Sequence, residues 1–111
     1  MNYKESIIQK GIVRYFALKY PKLKGLLCCN LNNSKNKTIG GINNGLGVIA
    51  GRSDLVLYYH KTAYHIEVKE PKGTQSDAQI AWQKLIESHG YNYYIVHSTF
   101  EFTQVLKTLG I

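Results

Sequence analysis

Apolar residues recur at helical spacing from the start of the chain. Ile8, Ile12, Tyr15 and Phe16 mark one face of a helix over residues 3–19, with Glu5 and Gln9 on an adjoining stripe. Pro21 marks its end. Residues 25–31 (GLLCCNL) are a short apolar run that predicts a strand. A polar, turn-like stretch follows from Asn32 to Lys37. Residues 38–47 leave two readings open: the glycines favour a loop, while Ile42 and Leu46, one turn apart, permit a weak helix. Residues 53–59 and 63–69 are the clearest strands. In the second, Tyr64, Ile66 and Val68 point one way and His65, Glu67 and Lys69 the other. His60 and Lys61 form the turn between them, and Pro71-Lys72-Gly73 breaks the second strand. A helix over residues 77–89 opens with Ser76 and Gln79 at capping-box spacing. Ala78, Ala81, Trp82, Leu85 and Ile86 are its expected buried stripe, and Gly90 its stop. Residues 92–97 predict a strand. Ser98 and Glu101 repeat the capping box before a last amphipathic helix carrying Phe102, Val105, Leu106 and Leu109. This order predicts an α/β fold, a mixed β-sheet flanked by helices.

Length and charge narrow the function. The chain has 111 residues, the size of one domain, so residues 1–111 are expected to share one core. Fourteen Lys and Arg against seven Asp and Glu leave a net charge of +7, which attracts polyanions. Nucleic acid is the partner this favours over a membrane, because no segment combines a strong apolar face with a dense basic one. Simple solubility is the bland alternative. No apolar run approaches the ~18 residues of a spanning helix. Cys28 and Cys29 are adjacent and point to opposite faces of a strand, so a disulfide between them would be strained. Two buried or half-buried thiols are expected. Residues 1–10 lack the apolar core of a signal peptide, so a reducing, intracellular setting is expected.

The hairpin brings chemistry together. With a two-residue turn at His60-Lys61, Tyr59 pairs with Thr62, and counting outward sets Asp54 opposite Glu67. Cross-strand neighbours on one face have Cβ atoms only ~5 Å apart. Lys69 shares that face. Two carboxylates so close repel, and a hard divalent cation is the natural compensation. Such an ion binds a phosphate oxygen and lowers the pKa of water, while an ammonium offsets charge developing on phosphorus. The alternative is a salt-bridged sheet face in which Lys69 merely neutralises one carboxylate.

Four segments carry a resemblance: GVIAGRSDLVLY (47–58), IEVKEPKG (66–73), SDAQIAWQKLIESHGY (76–91) and YYIVHSTFEF (93–102). In order and spacing they resemble the VRR-NUC branch of the PD-(D/E)XK nuclease superfamily. That pattern is a glycine-rich approach, P-D-L, a strand ending E-V-K, a Pro-Gly turn, a helix opening S-x-x-Q-x-x-W, and a glycine before the last strand. One departure is plain: Ser53 stands where the pattern has proline. The resemblance implies a restriction-endonuclease-like fold and Mg²⁺- or Mn²⁺-dependent hydrolysis of DNA. It implies Asp54, Glu67 and the carbonyl of Val68 as metal ligands, Lys69 as the catalytic lysine, and Gln79 as a glutamine reaching toward the site. Glu5 corresponds to the acidic residue that a first helix supplies in related nucleases, or compensates the helix dipole. Stand-alone members of this size resemble phage or bacterial homodimers acting on branched DNA such as Holliday junctions, with the host or infected-cell cytoplasm as the setting.

Other residues weigh less. Lys35, Lys37, Arg52 and Lys72 flank the site in sequence and are expected to touch DNA phosphates. His65 reads as a groove residue and Trp82 as core. Gly45, Gly47 and Gly51 let the backbone approach DNA or accommodate turns. A phosphate-cradling loop is excluded because no Lys-Ser/Thr follows these glycines. A non-catalytic DNA-binding module is the rival reading, disfavoured by two carboxylates set to face a phosphate. An RNA-binding sheet is disfavoured because Tyr58 and Tyr64 fall on opposite faces.

Overall fold

The computed structural model describes residues 2–30 and 45–111. Residues 31–44, which include Lys35, Lys37 and most of the ambiguous stretch 38–47, lie outside the described residues. Helix α1 (Tyr3–Lys19) is followed by a 3₁₀ turn (Pro21–Leu23), strands β1 (Leu27–Cys29), β2 (Leu55–Tyr59) and β3 (Thr62–Val68), helix α2 (Asp77–Ser88), strand β4 (Asn92–Val96) and helix α3 (Thr99–Thr108). The sheet order is β1-β2-β3-β4. The first two pairings are antiparallel and β3 pairs parallel with β4. Helix α2 makes the crossover that a parallel pair requires. This is the expected mixed sheet flanked by helices.

Alternation divides the sheet into two faces. Leu55, Leu57, Ile66, Val68 and Val96 point to one side and meet Ile12 and Phe16 of α1 and Phe102 and Leu106 of α3. Phe16 and Phe102 cross edge to face at 6.2 Å. Each such side chain, fully buried, contributes ~1.5–3 kcal/mol relative to exposure. The second face carries Asp54, Val56, His65, Glu67 and Tyr93, and Trp82 of α2 covers part of it.

Helix ends follow local chemistry. The Asn2 side chain accepts from the Glu5 amide to cap α1. Ser76 and Gln79 close a full capping box on α2. At α3 the Ser98 hydroxyl accepts from the Glu101 amide, but Glu101 reaches back one residue further than a capping box, accepting from the His97 amide at 3.0 Å and meeting His97 Nδ1 at 2.8 Å. The His97 amide and ring together hold the carboxylate that a capping box would direct to the Ser98 amide.

Two expectations about burial are corrected. No residue of α2 is fully buried: Ala78, Ala81 and Leu85 are exposed, and Trp82 and Ile86 are half-buried. The stripe exists, but α2 meets the sheet through Trp82 and leaves Ala78, Ala81 and Leu85 largely exposed. Cys28 is half-buried as expected, whereas Cys29 is exposed because β1 is an edge strand.

Candidate active site

The β2–β3 turn determines everything that follows. His60 and Lys61 both take positive φ, 48° and 65°. That pair of left-handed residues is the two-residue hairpin turn whose twist matches the strands. It costs non-glycine residues ~1–2 kcal/mol each. Tyr59 stacks on the His60 ring at 4.0 Å, which offsets part of that cost. The register runs Tyr59↔Thr62, Tyr58↔Ala63, Leu57↔Tyr64, Val56↔His65, Leu55↔Ile66. The next position outward sets Asp54 against Glu67, as counting from the turn predicts.

Asp54 is tied on both sides. Its carbonyl accepts from the Asn30 amide at 2.9 Å, continuing the β1 ladder. Its carboxylate Oδ2 accepts from the Val68 amide at 2.7 Å, taking the place that strand backbone would fill. The Val68 peptide is thereby held against Asp54 while its side chain stays in the core. Lys69 is anchored to β4 through its amide, which donates to the Val96 carbonyl at 3.0 Å. Its Nζ stands 3.6 Å from Glu67 Oε2, an ion-pair contact too long for a hydrogen bond.

Glu67 is the unusual member. It is 0% exposed, and among the described residues neither carboxylate oxygen accepts a hydrogen bond. A buried acceptor left without a partner costs ~1–3 kcal/mol, more if charged. Burial, then the neighbouring charge of Asp54, push its pKa from 4.5 to about 8 against the pull of the Lys69 ammonium. Asp54 is also raised by burial, and the Val68 amide and Lys69 oppose that rise. Tyr93, diagonal to Glu67 on β4 by register, is buried. Its phenol is raised by burial and by the carboxylate of Glu67, and it accepts a hydrogen bond from Gln75 Nε2 at 3.3 Å. Neither Tyr93 nor Gln75 stands out in sequence, since both look like an ordinary strand aromatic and an ordinary loop amide.

Above these groups lies a cleft of about 670 Å³ lined by Asp54, Lys69, Glu5, Arg52, Gln75 and Gln79, among others. Glu5 is buried and lies over the turn after β3: a Cβ on Gly73 would sit 3.5 Å from its Oε2. Helix α1 therefore does deliver a carboxylate to the cleft, where Asn2 Nδ2 holds Oε2 at 3.2 Å. Gln79 lines the cleft and also closes the capping box, with Oε1 accepting from the Ser76 amide at 2.8 Å. Among the described residues, no three His, Cys, Asp or Glu side chains cluster as a self-sufficient metal cage.

The approach to Asp54 is polar where the pattern has proline. Ser53 is fully buried, with Oγ donating to the Leu55 carbonyl at 3.0 Å and lying 3.4 Å from His65 Nδ1. Asn30 Nδ2 donates to the Ser53 carbonyl at 3.0 Å, and Arg52 donates to Asn30 Oδ1 at 2.9 Å. His65 is thus no groove residue: it is buried, packed edge-on against Trp82 at 5.0 Å, and its pKa is lowered by burial and then by Arg52. Gly51 approaches protein, not an open surface. With φ of +86°, it lies so close to α2 that a Cβ would fall 2.3 Å from the Ala78 carbonyl oxygen. Arg52 lines the cleft, and Lys72 is exposed on the Pro71–Gly73 turn beside it.

Comparison with known proteins bears on this arrangement. A solved structure described as a VRR_NUC domain protein superposes with a TM-score of 0.74 over 97% of this chain and 88% of that one, at 17% identity. A second, described as a VRR_NUC domain, gives 0.63 over 96% and 97%, at 18% identity. At those identities the likeness speaks for the fold. No curated protein sequence matches significantly. The VRR-NUC domain model matches residues 19–100, a span that holds the hairpin, the cleft-lining turn and α2. The chain therefore belongs to the VRR-NUC family of nuclease-type, DNA-processing domains.

Proposed function

We propose that this chain is a divalent-metal-dependent, structure-selective DNA endonuclease that acts on branched DNA such as Holliday junctions. The observation that carries the reading is Glu67: a fully buried carboxylate whose two oxygens accept no hydrogen bond among the described residues, held beside Asp54 under a polar cleft. A hard cation satisfies both facts at once, because Mg²⁺ or Mn²⁺ takes one or two carboxylates and completes its shell with other oxygens. Asp54, Glu67 and the carbonyl of Val68 would hold it, with Glu5 at the margin. The ion would supply Lewis-acid polarisation of the scissile phosphate and a lowered pKa for water.

The chain's own groups do the rest. Lys69, held by its backbone to β4, presents an ammonium that stabilises charge developing on the phosphoryl oxygens. The Val68 amide keeps Asp54 oriented. Gln79 stiffens the start of α2 and forms one wall, against which a phosphate is positioned. Arg52 and Lys72 sit where they can meet neighbouring phosphates.

A two-fold homodimer suits a junction substrate, because symmetric sites can cut two opposed strands. The phage or bacterial setting follows the resemblance of stand-alone members of this size. The test is incubation with a four-way junction, a flap, a duplex and a single strand, each with Mg²⁺, Mn²⁺ or EDTA. The reading expects metal-dependent cleavage that favours the junction and disappears in Asp54→Ala and Lys69→Ala while DNA binding persists. Binding without cleavage under every metal condition would instead establish a non-catalytic DNA-binding module.

A further inference from the structure

Charge is not spread evenly along the chain. Residues 1–24 contain six basic side chains, Lys4, Lys10, Arg14, Lys19, Lys22 and Lys24, against one acid, Glu5. That acid is buried at the cleft. The exposed face of this segment is therefore positive without opposition.

The fold gathers part of that charge into a groove. Ser6, Gln9, Lys10, Val13 and Arg14 of α1, with Lys24 after the 3₁₀ turn, line a concavity of about 490 Å³. Lys10 and Arg14 are one helical turn apart and so lie on one face. Lys10, Arg14 and Lys24 are all exposed, and none forms an ion pair among the described residues. Among the described residues, no acidic side chain lines the groove.

Position gives the groove a purpose. It begins at Ser6, the residue after Glu5, and Glu5 lines the cleft that holds Asp54 and Lys69. From Glu5 to Arg14 the helix rises ~14 Å at ~1.5 Å per residue, with a net turn of about half a revolution, so the groove lies round the outside of α1 from the cleft. The rise is that of about four base pairs at ~3.4 Å each. We propose that the outer face of α1, through Lys10, Arg14 and Lys24, is a phosphate-binding track that carries DNA backbone away from the cleft. The inference rests on the nuclease reading above and assigns its DNA grip to residues outside the hairpin. Ser6 and Gln9 add polar side chains between the cations, and Val13, partly exposed, fits against sugar rather than phosphate.

The prediction is quantitative because each phosphate contact releases counterions. Replacing Lys10, Arg14 and Lys24 together by glutamine should lower the slope of log affinity against log salt by about two to three, at ~0.9 per contact. Affinity for a junction or duplex near 0.1 M salt should fall by roughly tenfold or more. The charge-matched comparison is Lys61→Gln, Lys84→Gln and Lys107→Gln, which removes three cations from other elements.

The assay is fluorescence anisotropy of labelled DNA over a salt series in Ca²⁺-free EDTA buffer, with circular dichroism confirming that both triple variants fold. The expected result is a reduced slope for the groove variant and a near wild-type slope for the comparison. Equal slopes for the two variants would show diffuse attraction and overturn the track. Preferential binding of the groove to anionic phosphatidylserine vesicles over DNA would also overturn it. A wild-type chain that binds DNA with a strong salt slope and never cleaves it sinks the nuclease reading and leaves the track standing.

Discussion

Replacing Glu67 by glutamine separates what this carboxylate does to the fold from what it does for chemistry. The side chain is fully buried and sits beside the Asp54 carboxylate, so its pKa rises from 4.5 to about 8. Below the lower value the carboxyl is protonated in both folded and unfolded chains and contributes no pH dependence. Between the two values the unfolded chain ionises while the folded chain keeps its proton, so stability falls as pH rises. Above about 8 the whole penalty is present. At ~1.4 kcal/mol per tenfold change in proton affinity, the ceiling is ~5 kcal/mol. The neighbouring cleft admits water and Lys69 offsets part of the charge, so about half of that, ~2–3 kcal/mol, is the expected size. Glutamine keeps the shape and never ionises. Urea denaturation of both proteins in EDTA, from about pH 5 to about pH 9, should show Glu67→Gln gaining ~2–3 kcal/mol on the wild type across the range. Adding Mg²⁺ or Mn²⁺ at the alkaline end should restore the wild type, because an ion that binds only the folded state stabilises it, and should leave the variant unchanged and inactive. Parallel pH–stability curves for the two proteins would refute the argument, since they would mean that Glu67 ionises as freely in the fold as in the unfolded chain.

Three further variants probe the scaffold around the site. Gly51→Ala places a methyl against the Ala78 carbonyl at a positive φ, so we expect a loss of several kcal/mol, on the order of ~3, in urea denaturation, and loss of cleavage as α2 is pushed off the cleft. His60→Asn with Lys61→Gly relieves two strained residues in the hairpin turn and should stabilise by ~1–2 kcal/mol, less whatever the Tyr59 stack contributes, with no effect on cleavage; a loss of stability would show that the stack dominates. Ser53→Ala leaves His65 Nδ1 without its hydroxyl neighbour and should cost ~1–3 kcal/mol in the same assay, whereas a neutral result would mean the hydroxyl is dispensable.

How much of this could be read in advance depended on whether a local rule fixed it. The hairpin was legible because a two-residue turn determines register by counting, and register determines which side chains face each other. The end of α1 and the start of α2 were legible because Pro21 and Ser76 act within a few residues of themselves. Burial of α2 was not, because periodicity at Ala78, Ala81 and Leu85 reveals an amphipathic edge but not what, if anything, packs on it. The location of Glu5 was undecided for a related reason. A first-turn glutamate compensates a dipole in any helix, and only the path of α1 across the end of the sheet brings it over Gly73. Tyr93 and Gln75 carried no signal because their role exists only once β4 lies parallel beside β3. The basic stripe on α1 was visible as composition.

Ser53 shows how the same mechanical task can be met by different chemistry. A proline ahead of the aspartate would fix φ with a ring and remove one amide donor. Serine fixes nothing by itself, and a hydroxyl buried without partners would be costly. The fold restrains it instead by contacts: Oγ to the Leu55 carbonyl, His65 Nδ1 alongside, and the Asn30 amide on its own carbonyl, with Arg52 steadying Asn30. These contacts reach β2, β3 and the residue that follows β1, so the approach to Asp54 is braced by the sheet rather than by the covalent chain. The arrangement also explains a polar histidine on a buried face, since His65 supplies what the extra hydroxyl requires while its ring packs on Trp82. Asn30, Ser53 and His65 therefore act as one unit. Exchanging Ser53 for proline alone would strand His65 Nδ1, while Asn30 would keep the carbonyl of residue 53 and Arg52, so only together with an apolar replacement at His65 would the ring take over the bracing of Asp54.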